Sequence, residues 1–332
     1  MNIQELMSCY QRGERDFSDV NLAGENLNSI HLCGVNLAHA NLNGADLSRA
    51  NLTNVNLEGA FLYGAELSYA RLGYANLSNA TLTKSTLTGV YLAHANLTEA
   101  KLSGAVLRGV NLRQADLTGV NLCGANLYNI NLRSANLTDA NLNWANLCGA
   151  RLSGAIFTRT KMVGVKLSHA YLNGTNLRYT DLDGVNLSEA KLSGADFSHA
   201  NLAAANLNHA HLRLATLHNT HLHAANLAWA DLSQADLTRA DLSGCNLTHT
   251  NLNAARLTET NLNAADLSRA NLQGSNLEDA YLWAATTDHP PLTPEVPSND
   301  SLSAHSHTDI SEQSNLSKSR LFRNRRMLLS VI

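Results

Sequence analysis

The chain has 332 residues, a formal net charge of −3 and a pI near 6.5. So small a charge excludes a whole-molecule field that would gather nucleic acid or hold an anionic membrane. Charged residues are 15% of the total against a usual ~25%, and Asn, Ser, Thr and Ala make up the difference. Cysteines at 9, 33, 123, 148 and 245 are odd in number and irregular in spacing, so they make no disulfide framework and suit a reducing compartment. No run approaches the ~20 apolar residues of a spanning helix. The start, MNIQELMSCYQRGERDF, has early acids and no apolar stretch of a secretory signal. A soluble, cytoplasmic protein is expected.

Residues 1–16 read as a short amphipathic helix. Ile3, Leu6, Met7 and Tyr10 share one helical face, with Asn2 placed to start the helix and Gly13 to stop it near Arg12. A period of five follows. From Phe17 to Leu282 every fifth residue is a centre: 54 positions, fifty of them Leu and the others Phe17, Phe157, Met162 and Phe197. Two residues before each centre stands a small site. Of the 53 such sites from Val20 to Ala280, 33 are Ala and eight are Val. The remaining three positions carry Asn, Asp, Lys, Arg, His, Tyr and Gly and are expected to look outward. Eighteen of the 20 glycines lie two residues after a centre, which predicts a turn every five residues with a positive φ or a tight corner there. Asn and Asp dominate the position before the centre. Asn186, Asn206, Asn226 and Asn246 form one such column, and their amides are expected to ladder and to bond the turns.

This A(N/D)LXX pattern, held in one register over residues 17–285, resembles the pentapeptide-repeat family, and the MNIQEL…GERDF start resembles its cyanobacterial members. The resemblance implies an all-β solenoid: a right-handed quadrilateral β-helix, four pentads to a coil, with centres and small sites inside. On that basis the 54 pentads make about 13.5 coils, a rod of roughly 65 Å at the ~4.8 Å spacing of stacked strands. Residues 1–16 would cap the first coil, as repeat arrays require.

Departures from the pattern locate what else the chain can do. Phe157 and Phe197 lie two coils apart on one face, and the small sites near them enlarge together at Thr160, Val165, Thr175, Thr180 and Val185, so a different core packing is expected there. Glu25 occupies a small site, and its carboxylate is expected to find Arg12 or Arg15 or to distort the first coil. Phe61, Tyr63, Tyr69, Arg71, Tyr74 and Tyr91 form a candidate partner-binding patch, because aromatics and Arg are enriched at interface centres; Arg71 and Tyr91 are one coil apart, within cation–π reach. Histidines crowd residues 169–249. His169, Glu189 and His209 share a column, but a flat ladder holds side chains parallel and does not converge four zinc ligands, so no metal is assigned. Arg151, Arg159, Lys161, Lys166 and Lys191 form a basic cluster mixed with acids rather than a phosphate track.

After Ala285 the register stops. Residues 286–332 hold all four prolines and a polar stretch of low hydrophobicity, which reads as a disordered tail. The tail ends in LFRNRRMLLSVI, where Arg320, Phe322, Arg323, Arg325 and Arg326 suit docking on an acidic partner or peripheral contact with a membrane surface. No nucleophile elbow, phosphate loop or zinc spacing occurs, so neither an enzyme nor a cofactor is expected. The reading is a non-enzymatic rigid scaffold that binds a protein partner, with nucleic acid disfavoured. The family suggests an alternative, a DNA mimic acting on a type II topoisomerase. A balance of 17 basic and 19 acidic residues over 17–285 weighs against it.

Overall fold

Five backbone N–H groups per pentad must each find an acceptor, and the way they do so fixes the architecture. The structure, a computed structural model, describes residues 1–288. In the pentad Ala40–Gly44, the centre Leu42 N–H donates to the Phe61 carbonyl of the next coil at 2.7 Å, and the corner residue Gly44 donates to Tyr63 at 2.9 Å. Asn41 N–H donates back to the Val20 carbonyl of the preceding coil at 2.8 Å. Ala40 N–H closes the preceding turn onto Leu37 at 3.1 Å, as Ala45 N–H does onto Leu42. The fifth, on Asn43, is taken by the Asn41 side-chain Oδ1 at 3.2 Å. Asn or Asp before the centre therefore has a structural role: it caps a donor that the backbone carbonyls of the neighbouring coils leave unbonded.

Parallel bridges join residues 20 apart, from Asp16↔Asn36 to Asp266↔Thr286, so each coil has four pentads and four faces. Each pentad contributes a single bridged residue, and the rod is a stack of isolated bridges rather than of extended strands. Faces 1 to 4 are those centred on Phe17, Leu22, Leu27 and Leu32 and on every twentieth residue beyond each. Leu centres and Ala small sites fill the interior, nearly all fully buried from Leu32 to Leu267. Each such Leu contributes ~1.5–3 kcal/mol by leaving water. Polar side chains inside are bonded: Thr220, Thr250 and Thr260 each donate to a carbonyl of the coil before, and Ser85 donates to Leu82 at 2.6 Å.

All 54 corners have positive φ, and 36 of them are not glycine. Trp144 (φ 62) and Leu214 (φ 60) show that even bulky residues are held there. The left-handed conformation costs ~1–2 kcal/mol per non-Gly residue, and at most corners the N–H bond to the next coil offsets it. Bulky corner side chains lie over the corner of the following coil, and Trp144 covers Gly164 in this way. Gly164→Ala should therefore combine backbone strain with a collision against the Trp144 ring. Gly44→Ala meets nothing within 4 Å and carries the strain alone. Thermal melts should show the larger loss for Gly164→Ala, together with a shift in tryptophan emission that Gly44→Ala does not produce.

Helix α1 spans Ile3–Gln11. Asn2 and Glu5 make a reciprocal capping box (2.9 and 3.0 Å), and Gly13 with φ 96 ends the helix one residue beyond its C-cap Arg12. Leu6 is fully buried in the common core, and Ile3, Met7, Cys9 and Tyr10 pack beside it. Glu25 departs from expectation. The first-coil rungs are regular, and Arg12 and Arg15 are engaged elsewhere: Arg12 pairs with Glu14, and Arg15 lies over the Tyr10 ring at 4.1 Å. Glu25 is only partly buried, so its carboxylate stays solvated and needs no counter-ion.

The ladder has one seam. The bridges Ile156↔Asn176 and Lys161↔Asp181 are absent, while the bridges on either side, Arg151↔Tyr171 and Lys166↔Asn186, are present. The backbone N–H groups of Gly154, Phe157, Arg159, Met162 and Gly164 make no bond upward, and those of Asn176, Asp181 and Asn186 make none downward. This is where the sequence enlarges its core. Neither change opens the ladder alone: Phe197 keeps its rung to Thr216 at 2.8 Å, and the coil around Thr220 keeps its rungs. At the seam Phe157, Met162, Thr160, Thr175 and Thr180 coincide within two coils, and the extra volume wedges the coils apart. The core stays closed, with Phe157 4% and Met162 2% exposed.

Candidate interaction surfaces

Residues five apart occupy adjacent faces and residues ten apart opposite ones, so the six-residue patch expected from sequence divides in two. Phe61 and Tyr63 lie on face 2, with the Lys84 ammonium 5.9 Å from the Tyr63 ring. Arg71 and Tyr91 lie on face 4, bridged to each other, and Tyr69 and Tyr74 stand at its two corners. Tyr74 stacks on His94 at 4.8 Å with 2° between the rings. Arg71 and Tyr91 do not form the expected cation–π pair, because the Tyr91 ring lies over Gly73 instead, where a Cβ would sit 2.8 Å from Cε1. All six side chains are exposed.

The basic cluster is dispersed around the rod: Arg151 and Lys191 on face 4, Lys161 on face 2, Lys166 on face 3 and Arg159 at a corner of face 1. Arg159 is paired, its Nε 2.7 Å from Asp139 Oδ1, and this bond holds the Asp139 carboxyl below the usual carboxylate range. In the histidine region, His169 Nδ1 is 3.3 Å from Glu189 Oε2. His209 turns to the Trp229 ring at 5.9 Å, and His249 stacks on the other side at 3.8 Å. Among the described residues no three His, Cys, Asp or Glu converge as metal ligands.

The faces differ in charge, which the chain total conceals. Face 1 with its corner holds eleven acids and four arginines; face 4 with its corner holds six cations and one acid, Asp231. The other two faces are close to balanced. On face 1 all four arginines are paired, Arg178 with Asp196, Arg239 with Glu259, Arg256 with Asp236 and Arg159 as above. The side-chain amides of face 1 form an unbroken series: Asn36, Asn56, Asn76 and Asn96 each donate to the Oδ1 one coil earlier at 2.8–3.1 Å. The column expected at Asn186 is longer in its steps, 3.5 Å to Asn206 and 3.4 Å on to Asn226.

Sequence reasoning missed one device. At four pentads where the residue before the centre is not Asn or Asp, an Asn eighteen residues before that residue supplies the cap: Asn43 to Tyr63 N–H, Asn143 to Val163, Asn173 to Ser193 and Asn263 to Trp283, at 2.8–3.1 Å. The spacing of eighteen was readable in the chain. The five cysteines are unpaired, and Cys245 is buried, its Sγ 2.9 Å from the Leu222 carbonyl. Burial pushes its thiol up to about 12. Iodoacetamide at mildly alkaline pH should therefore spare Cys245 in the native protein and modify it after denaturation, as read by peptide mass mapping.

The repeat profile described as Pentapeptide repeats matches in eight copies, in segments that together span residues 16–283. The chain belongs to the pentapeptide repeat family. Among solved pentapeptide repeat proteins it is similar to HetL of the cyanobacterium Nostoc sp. strain PCC 7120, involved in heterocyst differentiation regulation, at 30% identity over 89% of this chain and 98% of that one (TM-score 0.23). It is also similar to an Arabidopsis thaliana thylakoid-lumen protein, AT2G44920, at 32% identity over 31% and 66% of the two chains (TM-score 0.20). Rfr23 of Cyanothece 51142 matches at 24% over 51% and 98% (TM-score 0.16). No curated protein matches the chain. The fold of the family is a right-handed quadrilateral β-helix, and members serve as structural or protein-binding modules. No helix among the described residues is long and apolar enough to cross a membrane. The tail residues Arg320, Phe322, Arg323, Arg325 and Arg326 lie outside the described residues.

Proposed function

We propose that this pentapeptide repeat protein is a non-catalytic cytoplasmic scaffold that recruits a protein partner along one side of a rigid, right-handed coil, with α1 as its N-terminal cap. The observation that carries the reading is the separation of tasks within each pentad. Two positions build the core and one caps the turn, while the corner and exposed flanks accept Trp, Tyr, His, Arg or Gly without disturbing the ladder. Such a rod displays side chains at fixed spacing over a long surface, which suits recognition and supplies no reacting group. Tyr69, Arg71, Tyr74 and Tyr91 are the contact residues we assign, being exposed, contiguous on one face and of the types that anchor interfaces. The test is a pull-down from the source cell with the full chain and with residues 286–332 removed. A specific partner retained by both places the contact on the rod. Retention of no partner by the full chain would remove the reading.

A second reading, DNA mimicry toward a type II topoisomerase, gains support from the acidic face 1 and loses it through the arginines paired with four of that face's carboxylates. A supercoiling assay with purified gyrase decides it: unchanged drug sensitivity at stoichiometric protein removes mimicry.

A further inference from the structure

Face 4 carries Arg71, Arg113, Arg133, Arg151, Lys191 and Arg213, and no acid stands on this face or its corner from Gly34 to the coil before Asp231. None of the six is in an ion pair, in contrast to the paired arginines of face 1. Lys191 is half-buried and the five arginines are exposed. From Arg71 to Arg213 is seven coils, about 34 Å at the spacing of stacked strands. Two Arg–Tyr pairs across neighbouring coils, Arg71 with Tyr91 and Arg151 with Tyr171, flank Arg113 and Arg133. The floor is flat. Gly73 is the repeat glycine that stands away from a corner and needs no positive φ, and the space its missing Cβ leaves is occupied by the Tyr91 ring.

Unpaired cations fixed in a row select an anionic partner, and the geometry narrows its class. A duplex is wider than one face and would overlap face 1, where Glu99 and Asp116, in no ion pair, repel phosphate. A single strand stacks successive bases on a continuous run of rings, whereas the rings here cluster at Tyr74, Tyr91 and His94, and the next tyrosine, Tyr171, is four coils, about 19 Å, beyond Tyr91. A membrane surface needs an apolar anchor beside its basic residues, and the exposed rings of face 4 are tyrosines and histidines, with Leu214 at the far end as its one large exposed aliphatic side chain. Arginine forks interleaved with tyrosine fit protein carboxylates.

We propose that face 4, from Arg71 to Arg213, is the docking track for a protein partner that presents a row of aspartates and glutamates. The proposal rests on the scaffold reading and names the chemistry of its partner. The test uses the full chain and a labelled oligoglutamate peptide, with binding followed by fluorescence anisotropy across a salt series. The wild type should bind, and added salt should weaken it. Arg113→Glu/Arg133→Glu/Arg151→Glu should lose roughly tenfold or more in affinity. The charge-matched Lys84→Glu/Lys101→Glu/Lys166→Glu, on other faces, should stay close to wild type. Unchanged circular dichroism and melting temperature would establish that both variants keep the rod. Equal binding by the face-4 variant, tighter binding of a labelled oligothymidylate or of anionic vesicles, or no salt-sensitive binding of oligoglutamate would each overturn the track. The same face-4 variant in the pull-down separates the two ideas: a partner held as firmly as by the wild type overturns the track and leaves the scaffold standing.

Discussion

Leu142→Asp should collapse the middle of the rod. Leu142 is fully buried, and the inward residues beside it in its coil are Ala140, Ala145, Leu137 and Leu147, with Leu122 and Met162 on either side of it in its own column. None can bond a carboxylate. The variant loses the leucine's burial and gains either an unpaired charge or a protonated acid without partners, roughly 5 kcal/mol or more in sum. Because each coil is stabilised only by its neighbours, the damage divides the array rather than staying local. A melting temperature lower by ~10 °C or more, or insoluble protein, is the expected result. Two controls isolate the cause. Leu142→Met should cost less than ~1.5 kcal/mol, since Met162 already occupies the same column one coil on. Asn141→Asp adds the same charge one residue away, on the outside, and keeps the Oδ1 acceptor that caps Asn143 N–H at 3.1 Å. A soluble Leu142→Asp protein with wild-type melting behaviour would contradict the packing described.

The core and its register were legible because they depend on one repeated choice, an apolar residue at two fixed positions in five. Glycine at the corners revealed the turn, yet the 36 non-Gly corners carry the same positive φ, which no local propensity would assign to Leu214 or Trp229. The five-residue coil closure demands that conformation even at Arg159, whose N–H has no rung, and coil-to-coil hydrogen bonds hold it at most other corners; neither is visible to a residue read with its chain neighbours. The candidate surface was read less well for a related reason. Phe61 and Tyr74 are close in sequence and sit on different sides of the rod, while Arg71 and Arg151, eighty residues apart, share a face. Sorting the residues by their position within twenty, rather than along the chain, separates the acidic face from the basic one that a near-neutral total conceals. Side-chain direction stays beyond even that sorting: Tyr91 lies across Gly73 and not on Arg71 because the glycine leaves the nearer space.

The seam gives the second large expected effect. In hydrogen–deuterium exchange, the amides of Gly154, Phe157, Arg159, Met162 and Gly164 and of Asn176, Asp181 and Asn186 should exchange orders of magnitude faster than the corresponding amides one coil to either side. The comparison is internal. Leu152 and Leu167 bracket the open stretch and keep rungs of 2.8 and 2.9 Å, while Phe157 and Met162, in the same structural position, have none. Burial does not separate them, since Phe157 is 4% exposed and Leu167 1%; the missing acceptor does. The seam runs along faces 1 and 2, from the Gly154 corner of face 4 to Asn186 on face 3, and leaves the centre of face 4 bonded through Leu152 to Tyr171, so local opening there bends the rod without cutting the face-4 row. Returning the pattern to its consensus, Phe157→Leu with Met162→Leu, Thr160→Ala, Thr175→Ala and Thr180→Ala, removes the volume that holds the coils apart. Those amides should then become as protected as their neighbours, and the melting temperature should rise. If the substituted protein exchanged as fast as the wild type, the seam would have a cause other than core volume.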